Sequence, residues 1–199
     1  NDGNVGILDF YNEGTGHVDD GTDRQYSDPS AWYHWVWKNS GGTGTLYVNG
    51  VQQGSTFSMG PLIGSGGSDV INIGRYGADT VYAPMTLAEF VYLDGTAATP
   101  TSFGEFDEDS GIWKPIDVSG LTFGTNGFHL DFSNASALGT DANGGTTLTT
   151  TATLSQLTDS PTNNFATLNP LNYTSTAIPY SKGNTYGTFP GAWMASLPT

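Results

Sequence analysis

Hydrophobic and polar positions alternate most clearly in residues 32–51, where two short apolar runs flank a glycine-rich turn. Residues 32–38 contain three tryptophans, a tyrosine and a valine, a composition that favours a pleated, half-buried strand. Residues 39–44 (NSGGTG) have the residue types of a turn, and residues 45–49 (TLYVN) form a second strand that ends at an Asn-Gly pair. The pattern therefore predicts a β-hairpin.

The register of this hairpin decides which side chains face the core. Counting outward from the turn places Trp37 opposite Leu46. Two residues further along, Trp35 lies opposite Val48, and directly paired residues of an antiparallel ladder point to the same side. We expect these four side chains to be core anchors, since a slip of one residue would turn both indoles to solvent. Trp113, in an Ile-Trp-Lys-Pro run, is predicted as a fifth anchor.

Shorter alternations predict further strands. These are residues 5–11, 70–73, 85–94, 121–123 and 127–132. Residues 52–69 are mostly polar and are interpreted as a long connection. In the last strand His129 and Asp131 alternate with apolar residues, which predicts one buried and one wet face. Thr99 followed by Pro100 predicts the start of a short helix.

The composition agrees with an all-β fold. The chain has 28 glycines and 10 prolines among many Thr, Ser and Asn residues, which suits short strands and frequent turns. No window shows a long helical period or an apolar run long enough to cross a bilayer. We predict a β domain over residues 1–132. Residues 133–199 are predicted to form an irregular Thr-, Asn- and Gly-rich arm of extended β or linker that docks on this domain or on a neighbouring chain.

The net charge is −14, with only five Lys and Arg residues. Phosphate binding needs clustered cations, so nucleic acid and an anionic membrane surface are excluded as partners. The absence of cysteine excludes disulfides and thiolate metal sites. Asp19, Asp20 and Asp23 could bind Ca²⁺, which prefers several oxygen ligands. Their spacing does not match an EF-hand loop, so a solvated acidic loop is the competing interpretation and no cofactor is otherwise predicted.

Four motifs occur in an order that is typical of one family. W-x-H-x-V at residues 32–36 is followed by TLYVNG at 45–50, INIGR at 71–75 and MTLAEFVYLD at 85–94. Together they resemble the central hairpin and the following strands of laminin-G-like, concanavalin-A-like domains. The resemblance implies an antiparallel jelly-roll-type β-sandwich. Because such domains have several strands before this hairpin, we expect some N-terminal strands to be missing from residues 1–132.

A narrower resemblance extends over residues 24–171. SAWYHWVW, INIGRY, LAEFVYLDG, TPTSFGEFDEDSGIWKP and DSPTNNFATLNPL resemble a laminin-G-like module of structural proteins of tailed bacteriophages. This implies a non-enzymatic fibre or capsid decoration protein on the virion surface, with other virion subunits or further copies of itself as partners. Host-surface polysaccharide is a further expected partner. Because rings stack on sugar faces, the candidate glycan-binding residues are Tyr76 and Tyr82, with Asp69 and Asp79.

An enzyme on the same fold is the alternative. The run EFDED at residues 105–109 is similar to the E-x-D-x-x-E signature of sandwich-fold glucanases, in which two glutamates act as nucleophile and acid/base. In those enzymes the motif lies on a strand. Here it follows a predicted helix start and precedes a Ser-Gly turn, and its third acid comes one position early. We therefore predict no catalytic residues. A glycan-degrading hydrolase and a bacterial extracellular adhesin or filament subunit remain as alternatives.

Overall fold

The computed structural model describes the strand-rich middle of the chain together with short pieces at both ends. The described residues are 11–12, 16–17, 26, 31–59, 71–74, 82–83, 85–145, 147–157, 160–161, 180–181, 186–188 and 194–196. They contain β-strands and the 3₁₀ turn Pro100–Ser102. The fold class is therefore all-β, as the sequence predicts. Among these residues no helix is long and apolar enough to span a membrane.

The described strands pair into small antiparallel sheets of two or three strands. The strands are β1 (Tyr11–Asn12), β2 (Gly16–His17), β3 (Trp35–Ser40), β4 (Thr43–Val48), β5 (Val51–Ser58), β6 (Phe90–Tyr92), β7 (Gly104–Phe106), β8 (Trp113–Pro115), β9 (Phe128–Leu130), β10 (Tyr180–Ser181), β11 (Tyr186–Thr188) and β12 (Met194–Ser196). The pairs β1–β2, β6–β9 and β7–β8 and the triplets β3–β4–β5 and β10–β11–β12 are hydrogen-bonded.

The predicted hairpin is confirmed and continues into a third strand. Trp35 pairs with Val48 and Trp37 with Leu46, in the register that the sequence predicts. At the far end of β4, Asn49 and Gly50 both have positive φ, the geometry that suits a two-residue hairpin turn. The chain then returns as β5. The interpretation of residues 52–69 as a connection is thus wrong for residues 52–58. Most residues of β5 are polar, so it lacks the alternation of apolar and polar positions that marks a strand.

The prediction that Trp35 and Trp37 are core anchors is wrong. Their exposed fractions are 45% and 43%, whereas Leu46 and Val48 on the next strand are each 3% exposed. The sheet order β3–β4–β5 explains the difference. Within the described residues β3 is an edge strand, so its side chains have a neighbouring strand on one side only, while those of β4 are flanked on both sides.

A second buried cluster surrounds the pair β6–β9. The rings of Phe90 and Tyr92 both stack against Phe128, with centroids 5.7 Å away in each case. The predicted wet face is wrong at His129, which is buried. Its ring stacks on that of Phe123 with centroids 6.1 Å apart. The strand Phe128–Leu130 is thus covered on both faces, which alternation along the strand itself could not reveal.

The turn at Asp141 is hydrogen-bonded to the backbone of β9. One carboxylate oxygen accepts the backbone N–H groups of His129 and Asn143, and the other accepts that of Gly145. Burial by itself would raise the pKa of Asp141, but these three N–H donors outweigh it and lower that pKa. The backbone of Ala142 also donates to the His129 carbonyl. Hydrogen bonds therefore join the predicted β domain (residues 1–132) to the first part of the predicted arm (residues 133–199).

The acidic run that resembles a glucanase motif begins on a strand and continues into the turn of a hairpin. Glu105 and Phe106 belong to β7, which pairs with β8. The predicted helix start is confirmed as the 3₁₀ turn before β7. The strands predicted at residues 71–73 and 121–123 are wrong, because these residues lie in irregular backbone.

Candidate functional site

A groove of about 340 Å³ lies between two hairpins. One side comes from the β4–β5 turn and the other from the β7–β8 hairpin. Its lining residues are Tyr26, Val48, Asn49, Val51, Gln53, Phe106, Gly111, Ile112 and Trp113. This volume is at the lower end of the range of small-molecule sites, and a mostly apolar lining with a few polar groups is typical of them.

Strand alternation places the lining residues of each hairpin on the face that borders the groove. Val48 pairs directly with Val51, so both point to the same face of the sheet, and Gln53 follows two residues later on that face. On the opposite hairpin Phe106 pairs with Trp113. The groove is therefore formed by the facing sides of two antiparallel hairpins.

Trp113 holds the two hairpins together. A Cβ atom at Gly104 would lie 2.6 Å from Cε2 of the indole, and a Cβ atom at Gly50 would overlap the six-membered ring. The indole thus packs directly on the backbone of β7 and of the β4–β5 turn. Phe106 meets it edge to face, with ring centroids 4.9 Å apart. The ring of Phe106 is itself 52% exposed and is available to a ligand.

His34 fixes the orientation of the Trp113 indole. The indole Nε1–H donates to His34 Nδ1 at 2.9 Å, so the imidazole is neutral with its proton on Nε2. Desolvation by burial lowers the pKa of His34, which favours this neutral form. His34 also exchanges two bonds with Asn49: its backbone N–H donates to Oδ1, and its carbonyl accepts the Asn49 N–H, both at 2.8 Å.

Two amides supply polar groups to the groove, in addition to the phenol of Tyr26. Oδ1 of Asn49 is used by His34, while its Nδ2 donates no hydrogen bond among the described residues. Nε2 of Gln53 donates to the carbonyls of Val51 and Gln52, and its Oε1 accepts none within the same part of the chain. These two amides therefore offer one donor group and one acceptor beside aromatic rings.

The charged residues of the β7–β8 ladder point away from the groove. Glu105 pairs with Lys114 across the ladder, one position from the Phe106–Trp113 pair and hence on the opposite face. Nζ of Lys114 lies 3.5 Å from Glu105 Oε1 and 3.0 Å from Asp107 Oδ2. The N–H and hydroxyl of Ser110 also donate to Asp107. The backbone bond from Ser110 and the Lys114 ammonium hold the pKa of Asp107 far below its usual range.

Of the predicted glycan-binding residues, the structure describes Tyr82 alone. Its side chain is 46% exposed, but it does not line the groove. Tyr76, Asp69 and Asp79 lie outside the described residues, as do the calcium candidates Asp19, Asp20 and Asp23. No group of three His, Asp or Glu side chains within the described part could hold a metal ion.

The sequence predicts Trp113 as a core anchor, and no sequence pattern placed it or its neighbours in a groove. Phe106 lies within the acidic run of residues 105–109, for which the sequence predicts no site residue. The signal that could have placed it is the arrangement of GEF and WKP around the Asp-Glu-Asp-Ser-Gly turn, since two short apolar runs on either side of such a turn indicate a hairpin. No comparable local signal marks Asn49 or Gln53 as groove residues.

Comparison with protein families gives one match. Residues 2–101 match the laminin-G-like model of the concanavalin A-like lectin/glucanases superfamily. The chain belongs to this superfamily. The match confirms the laminin-G-like resemblance over half of the chain and includes the β4–β5 side of the groove, but it ends before β7. Comparisons with the curated proteins and with the solved structures gave no match. The superfamily description names both lectins and glucanases.

Proposed function

We propose that this chain is a non-enzymatic, lectin-like module that binds a glycan in the groove between the two hairpins. The observation that carries the proposal is the combination of the exposed Phe106 ring, the fixed Trp113 indole and the amides of Asn49 and Gln53 around one groove. Sugars present apolar ring faces and polar hydroxyls, so aromatic rings and amide groups match both parts of their surface.

The proposed role is binding without hydrolysis. A glycosidase of the usual two-carboxylate kind needs one carboxyl group that is protonated at the start of the reaction. Asp107 is held as a carboxylate by Ser110 and Lys114, and Glu105 lies beside the same ammonium. Both arrangements support a structural role for the acidic run.

The binding proposal is tested by a pair of aromatic variants on a glycan array. Phe106→Ala removes an exposed ring from the groove and should abolish binding to the glycans that the native protein retains. Tyr82→Ala removes a similarly exposed ring outside the groove and should leave binding unchanged. Loss of binding in Tyr82→Ala alone would move the site to the loops predicted from the sequence. Absence of any glycan binding by the native protein would refute the proposal.

The non-enzymatic role is tested by incubating the native protein with β-glucans and measuring released reducing ends. We expect none. Glu105→Gln and Glu108→Gln should also leave glycan binding unchanged, because neither side chain lines the groove. Release of reducing ends by the native protein that is lost in Glu105→Gln would instead establish the hydrolase.

We further propose that the module is a jelly-roll-type sandwich domain of a bacteriophage virion protein, in a fibre or a capsid decoration, at the particle surface. The resemblance over residues 24–171 supports this, and the charge of −14 fits partners that are protein subunits or glycans rather than nucleic acid. Mass spectrometry of purified phage particles should detect the chain. Its detection on bacterial cells and not in particles would favour the adhesin alternative.

A further inference from the structure

We infer that the groove recognises an uncharged glycan, and that it does so without a bridging metal ion. This inference rests on the proposed glycan-binding function and specifies its ligand. It follows from the distribution of charge around the groove. The chain carries 19 acidic and five basic residues, yet every lining residue that the structure describes is uncharged.

The separation of charge from the groove is built into the strands. On the β7–β8 hairpin, neighbouring ladder pairs point to opposite faces. The pair Phe106–Trp113 lines the groove, and the pair Glu105–Lys114 lies on the other face. At the β4–β5 end, Val48 and Val51 form the ladder pair that faces the groove. A sulfate or carboxylate on the ligand would find no cation among the described lining residues and would enter the field of a strongly acidic protein.

The lining also lacks the ligands that a bridging calcium ion requires. Ca²⁺ is held by six to eight oxygens, to which Asp and Glu carboxylates contribute strongly. The described lining provides amide oxygens from Asn49 and Gln53 and no carboxylate. Oδ1 of Asn49 is already used by the His34 N–H. Sugar hydroxyls are therefore bound directly, with the Asn49 Nδ2 donor and the Gln53 Oε1 acceptor among the groups that contact them.

The experiment starts from the glycans that the native protein binds on an array of neutral, sulfated, sialylated and uronic-acid glycans. All binders should be neutral. A matched pair then isolates charge: each neutral polysaccharide that binds is compared with its own sulfated derivative, for example dextran with dextran sulfate, by isothermal titration calorimetry. We expect sulfation to weaken binding at least about tenfold. Excess EDTA should leave the affinity unchanged, and so should raising NaCl to about 0.5 M.

A second pair of variants tests the donor. Asn49→Asp keeps the Oδ1 acceptor for His34 and tolerates the left-handed backbone of this position, but it replaces the Nδ2 donor with a carboxylate oxygen. Gln52→Glu adds the same charge three residues away, outside the groove lining. Asn49→Asp should weaken the binding of the neutral glycan about tenfold or more, equivalent to one lost hydrogen bond, and Gln52→Glu should leave it unchanged.

The outcomes separate the two proposals. Tighter binding of the sulfated derivative, or loss of binding in EDTA, would overturn this inference while the groove remained a glycan site. Equal effects of Asn49→Asp and Gln52→Glu would overturn the assigned donor and show that added charge alone acts. If the native protein bound no glycan at all, the proposed function would fail and this inference with it.

Discussion

Trp113 is the residue through which the two hairpins contact each other. Its indole packs on Gly50 and Gly104, meets Phe106 edge to face, and donates its N–H to His34. A tryptophan combines a large apolar surface with one hydrogen-bond donor, which needs a partner when it is buried. His34 supplies that acceptor only in its neutral form, so the junction between the hairpins depends on the protonation of one imidazole.

We therefore expect the stability of the protein to fall as the pH is lowered through the titration range of His34. Its folded-state pKa is lowered from 6.5, so between the two pKa values the unfolded state binds more protons than the folded state. The His34 contribution is thus fully present above about pH 6.5 and is progressively lost below it. Urea unfolding at intervals between about pH 7 and pH 5, above the range where carboxylates titrate, measures the change.

The control for this prediction is His34→Asn. The Asn Oδ1 occupies a position similar to His Nδ1 and accepts the indole N–H without titrating. The free energy of unfolding of this variant should vary less with pH over the same interval. If native protein and variant respond equally to pH, the response comes from other groups and the role assigned to His34 is wrong.

At the scale of elements, the position of each strand in its sheet determines what its side chains do. β4 is the central strand of the sheet β3–β4–β5, and its residues Leu46 and Val48 are buried. β3 has the same aromatic and β-branched character but lies at the edge, so Trp35 is half exposed. The turn that joins β4 to β5 does more than reverse the chain, because its glycine provides the surface on which Trp113 packs.

The turn glycine gives a test of this packing. Gly50 has φ +79° and a Cβ atom there would overlap Trp113, whereas Gly95 has φ +77° and open space around it. Gly95→Ala should cost about 1 kcal/mol, the penalty of a left-handed backbone alone. Gly50→Ala adds a steric conflict and should cost about 2–4 kcal/mol in the free energy of unfolding by urea. Equal costs for the two variants would contradict the packing of the indole on the turn.

At the scale of the whole molecule, the excess of acidic residues is the dominant property. With 19 acidic and five basic residues, repulsion between like charges opposes the compact state. We expect the Tm to rise by about 2–4 °C, equivalent to roughly 1 kcal/mol for a chain of this size, when NaCl is raised from low salt to about 0.15 M. Scanning calorimetry measures this shift, and a Tm that is constant or falls with salt would contradict it.

Calcium at matched ionic strength serves as the control for this screening effect. If Asp19, Asp20 and Asp23 form the Ca²⁺ site that their oxygens permit, CaCl₂ should raise the Tm further than NaCl does, because a ligand that binds only the folded state stabilises it. Equal shifts would favour the solvated acidic loop. If Asp20 is one of the calcium ligands, the additional rise in Tm with CaCl₂ should be smaller in Asp20→Asn than in the native protein.

The sequence predicted local pairing better than it predicted burial. The register that places Trp35 opposite Val48 followed from the turn and is confirmed. The burial of Trp35 did not follow, because it depends on what lies across the face of an edge strand. His129 shows the reverse error: alternation places it on a wet face, but the Asp141 turn and the ring of Phe123 cover it.

The candidate site was the least predictable part. Trp113 was predicted only as a core anchor, from its apolar context, and its partners come from residues 34, 50 and 104, which no local pattern relates to it. The loop candidates Tyr76, Asp69 and Asp79 remain predictions, and Tyr82 lies outside the groove. Groove residues are brought together by contacts between hairpins, and hydrophobic periodicity carries no information about such contacts.

The sequence by itself determined the all-β class, the hairpin register and the membership of the superfamily, because turn residues, alternation and motif order are properties of neighbouring positions. Only the tertiary structure decided which aromatic rings are exposed and where a groove forms. The groove forms where two hairpins that are far apart in sequence meet at the Trp113 indole. In the β7–β8 hairpin the ladder alternation turns Phe106 and Trp113 toward the groove and the Glu105–Lys114 pair away from it, and that arrangement gives the groove its chemical character.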